Sequence, residues 1–235
     1  MKAMSKQHVD IEILSASEDA IIDFWFAAAQ MLRRDGQKYY TQIGESLRDR
    51  FSRAMYRSPD LAEILALSFL RDYRQKIDLL RMAMIALASE VAPEDLLAFY
   101  QELFPGQRFP EKWLSASTPP SLANLSELTE NPLDIIQNTL PLLTMVKKEG
   151  ILSIEPLLVE MPDYARLGFQ NVLDGLYPEM IDSIMKRKAE TLSGIMERKL
   201  RMTALAIRRI HEGINPRILQ DELLAFFPEY PEQDY

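Results

Sequence analysis

Cysteine is absent from all 235 positions of the sequence, and glycine occurs only eight times. Without cysteine the chain can form no disulfide bond, thiolate nucleophile or thiolate zinc site, and this composition fits a reducing compartment. Histidine is scarce as well, since His8 and His211 are the only two and neither has a second ligand at metal-binding spacing. No glycine-rich phosphate loop occurs. The sequence therefore predicts no metal site, no cofactor and no enzyme.

Long apolar runs are also missing. The longest uncharged stretch of interest, Ile135 to Val146, is about a dozen residues, whereas a membrane-spanning helix needs ~20 mostly apolar ones. The first ten residues contain no apolar segment of signal-peptide length. We therefore expect a soluble, cytoplasmic protein without direct membrane insertion, which lies at a membrane only when a partner holds it there.

The charge balance is acidic, with a net charge of −8 and an isoelectric point near 5.0. Nucleic-acid binding requires a basic face that neutralises phosphates, so this balance argues against it. A local group of arginines between Arg48 and Arg57 lies among acids and is interpreted as a solvated helix face.

Apolar residues recur at helical rather than alternating spacing. The segment 61–70 follows the i, i+3, i+4, i+7 pattern of an amphipathic helix. Its predicted buried face consists of Leu61, Ile64, Leu65, Leu67, Ser68 and Leu70. Alternating runs rich in valine, isoleucine and threonine are absent, so we expect an all-α helical bundle.

Prolines, glycines and capping residues set the predicted helix boundaries. Asn131 followed by Pro132 is an N-cap with proline at the first helical position, and Pro178 opens the longest helix. Gly36 and Gly150 each end a helix. The predicted helices span about 17–34, 38–57, 59–90, 93–104, 132–149, 151–158, 164–173, 178–211 and 216–227.

The two halves of the chain resemble each other, which favours a tandem duplication of one helical unit with one long helix in each copy. The segment 32–36 (LRRDG) parallels 146–150 (VKKEG), and 80–82 (LRM) parallels 200–202 (LRM). Chance convergence of short, proline-bounded helices is the alternative. The predicted organisation is an N-terminal tail (1–16), a degenerate helical unit (17–105), a proline-containing linker (106–128), a second helical unit (129–228) and an acidic tail (229–235).

The second half carries three motifs in a fixed order. The first, Lys147 to Glu155 (KKEGILSIE), is a basic-basic-acidic-glycine turn with a short helix. The second, Asp174 to Ile181 (DGLYPEMI), is an aspartate-glycine turn that leads into proline-glutamate and a long helix. The third is His211 to Leu219 (HEGINPRIL), followed by Phe226 to Pro228. In this order the motifs resemble the cytoplasmic parts of MotA-type flagellar stator subunits, in the proton-channel family that includes TolQ and ExbB.

The resemblance covers about 130 to 228 and omits every membrane helix of that family. The family's third and fourth membrane helices would fall near Thr191 to Leu200, where this chain continues as one helix. The channel-lining residues lie in those missing helices, so the resemblance implies a MotA-like protein that is not a proton channel. The motif positions that it implies are Gly150, Asp174, Gly175, Pro178, Glu179, Glu212, Gly213, Asn215 and Pro216.

The resemblance also implies a contact surface. In stator subunits, charged residues of the first motif meet opposite charges on the rotor switch protein. By position, Lys147 corresponds to the basic rotor-facing residue and Glu155 to the acidic one, with Lys148 and Glu149 between them. Flagellar rotor or stator subunits are thus the implied partners, and the sequence is also compatible with a homo-oligomer. A structural alternative is that these charges only favour the dipole of a helix end.

We expect Ile151, Leu152 and Ile154 to hold this segment against the fold while the charges remain hydrated. A second functional hypothesis is a helical scaffold or regulator that is unconnected with motility and uses a MotA-derived domain.

Overall fold

The computed structural model describes residues 11–36, 43, 47, 51–114, 122–126, 128 and 131–228. Within these ranges the chain forms eight α-helices and three 3-10 helices, and its β-structure is limited to one isolated bridge between Ile11 and Leu47. The all-α prediction is confirmed. The α-helices are α1 (Glu18–Asp35), α2 (Phe51–Arg57), α3 (Asp60–Ala88), α4 (Pro93–Leu103), α5 (Pro132–Glu149), α6 (Asp163–Leu173), α7 (Pro178–His211) and α8 (Pro216–Leu224). The 3-10 helices are η1 (Glu111–Trp113), η2 (Leu122–Leu125) and η3 (Ile151–Glu160).

The helix ends follow the capping chemistry that the sequence predicts. Ser17 caps α1 and Asn131 caps α5, and the side-chain oxygen of each accepts a backbone N–H, at 3.2 and 3.0 Å respectively. Gly36 and Gly150 end these two helices at φ values of +68° and +89°, a region that favours glycine. Most of the predicted helix 38–57 before Phe51, and the predicted acidic tail, lie outside the described residues.

The longest helix, α7, has 34 residues and the bounds that the sequence predicts. At ~1.5 Å per residue it is about 50 Å long. Length alone does not make it a membrane helix, because the exposed cations Lys186, Arg187 and Lys188 follow one another in its first third. Among the described residues, no helix combines the length and the apolar character that crossing a bilayer requires.

The chain divides into two compact units, each built from segments of both predicted halves. Unit 1 consists of residues 1–70 and 194–235, and unit 2 of residues 71–193. In unit 1, α1 packs against α8, and in unit 2, α4 packs against α5. The duplication of one helical unit stays a prediction. The two predicted halves do not coincide with the two compact units.

Unit 2 has a core whose buried tyrosines find partners for their hydroxyl groups. Tyr100 of α4 is fully buried and its hydroxyl donates to the backbone oxygen of Leu79 at 3.4 Å. Tyr164 of α6 donates to the backbone oxygen of Met185, in α7, at 3.2 Å. Burial raises the pKa of Tyr100 above its ordinary value. A buried hydroxyl without a partner is costly, so these bonds fix how α4 and α6 pack.

The buried face of α3 differs from the predicted one. Ile64 and Leu67 are 62% and 70% exposed, whereas Ala62, Ala66 and Leu70 are buried. The prediction followed the large apolar side chains, but packing uses the alanine positions, whose small side chains allow neighbouring elements to approach closely. The predicted face is therefore wrong at Ile64 and Leu67.

The segment predicted as a linker, 106–128, contributes to the core of unit 2. Phe109, Leu122 and Leu125 are buried, and η2 packs against α5. The Phe109 ring also contacts the ring of Trp113, with centroids 5.7 Å apart. The prolines of this segment correctly indicated that it contains no long α-helix in its described residues, but they carried no information about burial.

Candidate functional site

The residues predicted to contact a partner lie in unit 2, where α5 ends and η3 begins. Lys147, Lys148 and Glu149 form the end of α5, and Glu155 lies in the middle of η3. All four side chains are exposed. These four residues are called the 147–155 surface below.

Gly150 sets the direction in which η3 leaves α5. Its φ of +89° is a conformation that residues with a side chain rarely adopt. Its N–H donates to the oxygen of Val146 at 2.8 Å, and its own oxygen accepts from the Ser153 hydroxyl at 2.7 Å. The turn is therefore fixed on both sides, and the charges on either side of it keep a defined spacing.

Three apolar residues hold η3 against unit 2. Ile154, Leu158 and Met161 are 0%, 7% and 3% exposed, and η3 packs against α5 and α6. The predicted anchor Ile154 is thus buried, and Ile151 is half-buried. Leu152, however, is 69% exposed, so its prediction as an anchor is wrong. A 3-10 helix has three residues per turn, which places Leu152 on a different face from Ile154.

Lys147 makes an ion pair that the sequence did not predict. Its Nζ lies 3.2 Å from a carboxylate oxygen of Glu94, in the first turn of α4. Both side chains are more than half exposed. The pKa of Glu94 is lowered, first by a hydrogen bond with its own backbone amide and then by the ammonium of Lys147. The two residues are 53 positions apart, so no local sequence pattern could have joined them.

The body of α5 carries buried polar side chains that bond within their own helix. The Thr139 hydroxyl donates to the oxygen of Ile135 at 2.8 Å, and the Thr144 hydroxyl donates to the oxygen of Leu140 at 2.9 Å. Such bonds satisfy the hydroxyl groups locally and leave them no need of an external ligand. We therefore assign these residues to the packing of α5 and not to the contact surface.

The second motif forms the turn between α6 and α7. The Asp174 carboxylate accepts from the side-chain amide of Gln170 at 2.7 Å, and Gly175 adopts a φ of +74°. Pro178 then begins α7, and Glu179 is exposed in its first turn, where an acidic group favours the helix dipole. These residues form the connection between α6 and α7 within unit 2.

The third motif forms the corner between α7 and α8 in unit 1. Glu212 accepts a hydrogen bond from Nη1 of Arg209 at 2.8 Å, and Gly213 turns the chain at a φ of +71°. The Asn215 side chain accepts the N–H of Arg217 at 3.0 Å and caps α8, which Pro216 begins. The motif positions therefore belong to two different compact units, and each motif forms a turn in its own unit.

The 147–155 surface carries exposed charges of both signs. Across the residues that the structure describes, no three His, Asp or Glu side chains form a metal-binding group. The surface presents two cations and two anions, all exposed although Lys147 also pairs with Glu94, and these groups can form electrostatic contacts with complementary charges. No protein-family model, curated protein or solved structure matches the chain.

Proposed function

We propose that the chain is a MotA-like protein without channel function that binds a protein partner through the 147–155 surface. The observation that carries this proposal is how rigidly the exposed charges are held. Gly150 fixes the turn between them, and the buried side chains of Ile154 and Leu158 fix η3 below them. Exposed charges on a segment of fixed position set the register of a transient contact and raise its association rate.

Exposed apolar residues on the same element also support a contact role. Leu152 and Val159 are 69% and 78% exposed on η3, the element that carries Glu155. A protein interface commonly combines apolar contacts with charged residues at its rim. A partner that covers η3 would bury both apolar side chains, whereas a mere helix-dipole role for the charges would leave them unexplained.

The order of the three motifs identifies the partner class that we propose. Because the motifs resemble cytoplasmic parts of stator subunits, the partner is a flagellar rotor switch protein or a stator subunit. The alternative is a helical scaffold or regulator outside motility, which would use the same surface with another partner. Flagellar genes beside the coding gene would favour the motor proposal, and their absence would favour the alternative.

The test is a titration of purified rotor switch protein, and separately of a detergent-solubilised stator complex, with the wild-type chain and with Lys147→Glu. We expect Lys147→Glu and Glu155→Lys to weaken binding, and the weakening to be larger at low salt, where charges act over longer distances. Lys188→Glu, an equal charge reversal at an exposed position of α7, should leave binding unchanged.

A double variant distinguishes a contact between Lys147 and the partner from a purely structural role of the ion pair between Lys147 and Glu94. Lys147→Glu with Glu94→Lys restores an ion pair between α4 and α5 with its polarity reversed. If Lys147 contacts the partner, the double variant binds as weakly as Lys147→Glu although the ion pair between α4 and α5 is restored. Recovery of binding in the double variant would show that the ion pair only maintains structure. Wild-type binding by Lys147→Glu would refute the proposed surface.

A further inference from the structure

The exposed side of α3 carries two large apolar residues within one turn of each other. Ile64 and Leu67 are 62% and 70% exposed, although both belong to the amphipathic pattern of the segment 61–70. Apolar side chains that are exposed singly are normal on a protein surface and need no explanation. Here the two residues are i, i+3 neighbours, so their side chains form one apolar patch.

A charged residue lies at each end of this patch, and the two charges have opposite signs. Asp60 comes one turn before the patch and Arg71 one turn after it, and both are exposed. The positions 60, 64, 67 and 71 are separated by four, three and four residues, which is the spacing of a coiled-coil seam. They therefore form one line along the helix, in the order acid, apolar, apolar, base. These four residues are called the α3 seam below.

The charges at the two ends of the seam are little used within one copy of the chain, whereas a neighbouring charge is used. Glu63 of α3 pairs with Arg208 of α7 at 2.7 Å. Asp60, by contrast, makes no ion pair with any of the described side chains. Arg71 contacts Asp72, the next residue, at 3.7 Å, which is too long for a hydrogen bond. Both ends of the seam can therefore pair with charges of another molecule.

The order of its residues makes the seam complementary to itself. The midpoint between Asp60 and Arg71 is also the midpoint between Ile64 and Leu67. A two-fold axis beside this point and perpendicular to α3 places a second α3 antiparallel to the first. Asp60 of each copy then faces Arg71 of the other, and Ile64 of each copy faces Leu67 of the other. A parallel arrangement would instead bring like charges together at both ends, where they repel each other.

We propose that the α3 seam is a contact surface between two copies of this chain, which pack antiparallel. The contact removes the apolar patch from water, and two symmetry-related ion pairs fix its register. Four seam residues per copy are far fewer than the roughly 20–30 residues per side of a stable interface, so the dimer is weak and forms at high protein concentration. The seam shares no residue with the 147–155 surface, and the proposal does not depend on the proposed function.

The first test is sedimentation equilibrium of the full-length chain between about 10 μM and about 500 μM, a range that detects weak dimers. We expect the apparent mass of the wild type to rise with concentration towards that of a dimer. Ile64→Gln and Leu67→Gln should each weaken dimerisation by about tenfold, because each substitution removes an apolar contact on both sides of the axis. Ile218→Gln changes an apolar residue of α8 that is 51% exposed, and this matched control should dimerise as the wild type does. Thermal unfolding checks that each variant is folded.

The second test uses charge reversals to examine the antiparallel arrangement. Asp60→Arg gives the seam two basic ends, and Arg71→Asp gives it two acidic ends. Each variant alone should dimerise about tenfold more weakly than the wild type, because both ion pairs become repulsive. An equimolar mixture of the two variants should dimerise again, because their heterodimer contains two pairs of opposite charge. Arg187→Asp, at an exposed position of α7, is the control and should dimerise as the wild type does.

Three results would overturn the proposal. A wild-type chain that stays monomeric at about 500 μM would leave a different protein as the occupant of the seam. Dimerisation of Ile64→Gln and Leu67→Gln with wild-type affinity would place the contact elsewhere on the chain. A mixture of Asp60→Arg and Arg71→Asp that dimerises no better than either variant alone would exclude the antiparallel pairing.

Discussion

The guanidinium of Arg209 donates to both carboxylate oxygens of Glu222, at 2.8 Å from Nε and 2.7 Å from Nη2. Arg209 lies in the last turn of α7 and Glu222 in α8, so this paired contact spans the corner that Glu212 and Gly213 form. Hydrogen bonds to Glu212 and Glu222 raise the pKa of Arg209. A planar guanidinium is required here, because a lysine ammonium cannot reach both oxygens in this geometry.

We therefore expect Arg209→Lys to lower the midpoint of thermal unfolding, even though the charge is kept. Arg71→Lys is the matched control: the Arg71 side chain is 80% exposed beside Asp72, and this exchange should not change the midpoint. Circular dichroism melts of both variants check this. Equal melting of Arg209→Lys and the wild type would show that α8 is held by its apolar contacts alone.

Among the described glycines, Gly168 is the one where an added Cβ atom would meet another side chain. A Cβ atom there would lie 2.1 Å from the sulfur of Met84, which is fully buried in α3. We expect Gly168→Ala to reduce the free energy of unfolding by ~1–3 kcal/mol, the usual cost of overpacking a core. In the Met84→Ala background the same substitution should cost less, because the colliding side chain is gone. Denaturant unfolding of the four chains measures this coupling, and additive losses would contradict the steric explanation.

Gly194 is an exposed position of α7 where an added side chain should be stabilising. It lies within α7, and an added Cβ would meet nothing within 4 Å. Gly194→Ala should therefore stabilise the chain by roughly 0.5–1 kcal/mol, because alanine loses less backbone entropy than glycine when a helix forms. A destabilised Gly194→Ala variant would show that this point of α7 needs backbone freedom.

The pKa of the Glu94 carboxylate should show whether its ion pair with Lys147, a residue of the 147–155 surface, forms in solution. The pKa of Glu94 is lower in the folded chain than its ordinary value, so the stabilisation is present above the ordinary value and is lost as the pH falls through the lowered pKa. Lys147→Met should raise this pKa only part of the way, because the hydrogen bond with the Glu94 amide is the larger cause. Lys148→Met is the control and should leave it unchanged. Carbon-detected NMR titration of the Glu94 side chain measures all three chains; an unchanged pKa in Lys147→Met would mean that the ion pair does not persist in solution.

The composition of the compact units predicts how the chain responds to cleavage. Fragments 1–118 and 119–235 each contain parts of both units and neither unit complete. We expect neither fragment to unfold cooperatively alone, and we expect an equimolar mixture to recover the melting transition of the intact chain. The control fragment 71–193 contains all of unit 2 and should unfold cooperatively by itself. Independent cooperative folding of 1–118 would contradict the division into these units.

The sequence predicted helices well because their ends depend on local chemistry. Asn131 with Pro132, and Gly150 at a positive φ, act within a few residues, so α5 has the predicted bounds. Burial was harder to predict because it depends on residues distant in the chain. Ile64 is large and apolar yet exposed, since the packing of α3 uses its alanines instead.

The candidate site likewise combines features that depend on local chemistry with features that depend on residues distant in the chain. Charged side chains such as Lys147 and Lys148 after a helix are normally hydrated, and they are exposed here. The pairing of Lys147 with Glu94 arises from helices that are far apart in the sequence. The motif around Gly150 pointed to the end of α5, but no pattern in the sequence showed that α4 would pack against it.

Unit 1 is discontinuous, and this has a consequence for the order of events during synthesis. Residues 1–70 leave the ribosome long before residues 194–235 exist, whereas unit 2 is one uninterrupted stretch that is complete once Ser193 has emerged. The surface of α1 that packs against α8 must wait until all of unit 2 has been synthesised before α8 can cover it. A nascent chain with uncovered apolar surface is prone to aggregation and is a substrate for chaperones. Unit 1 can therefore complete its folding only after all of unit 2 has been synthesised, and we expect α1 to gain from protection until α8 has emerged.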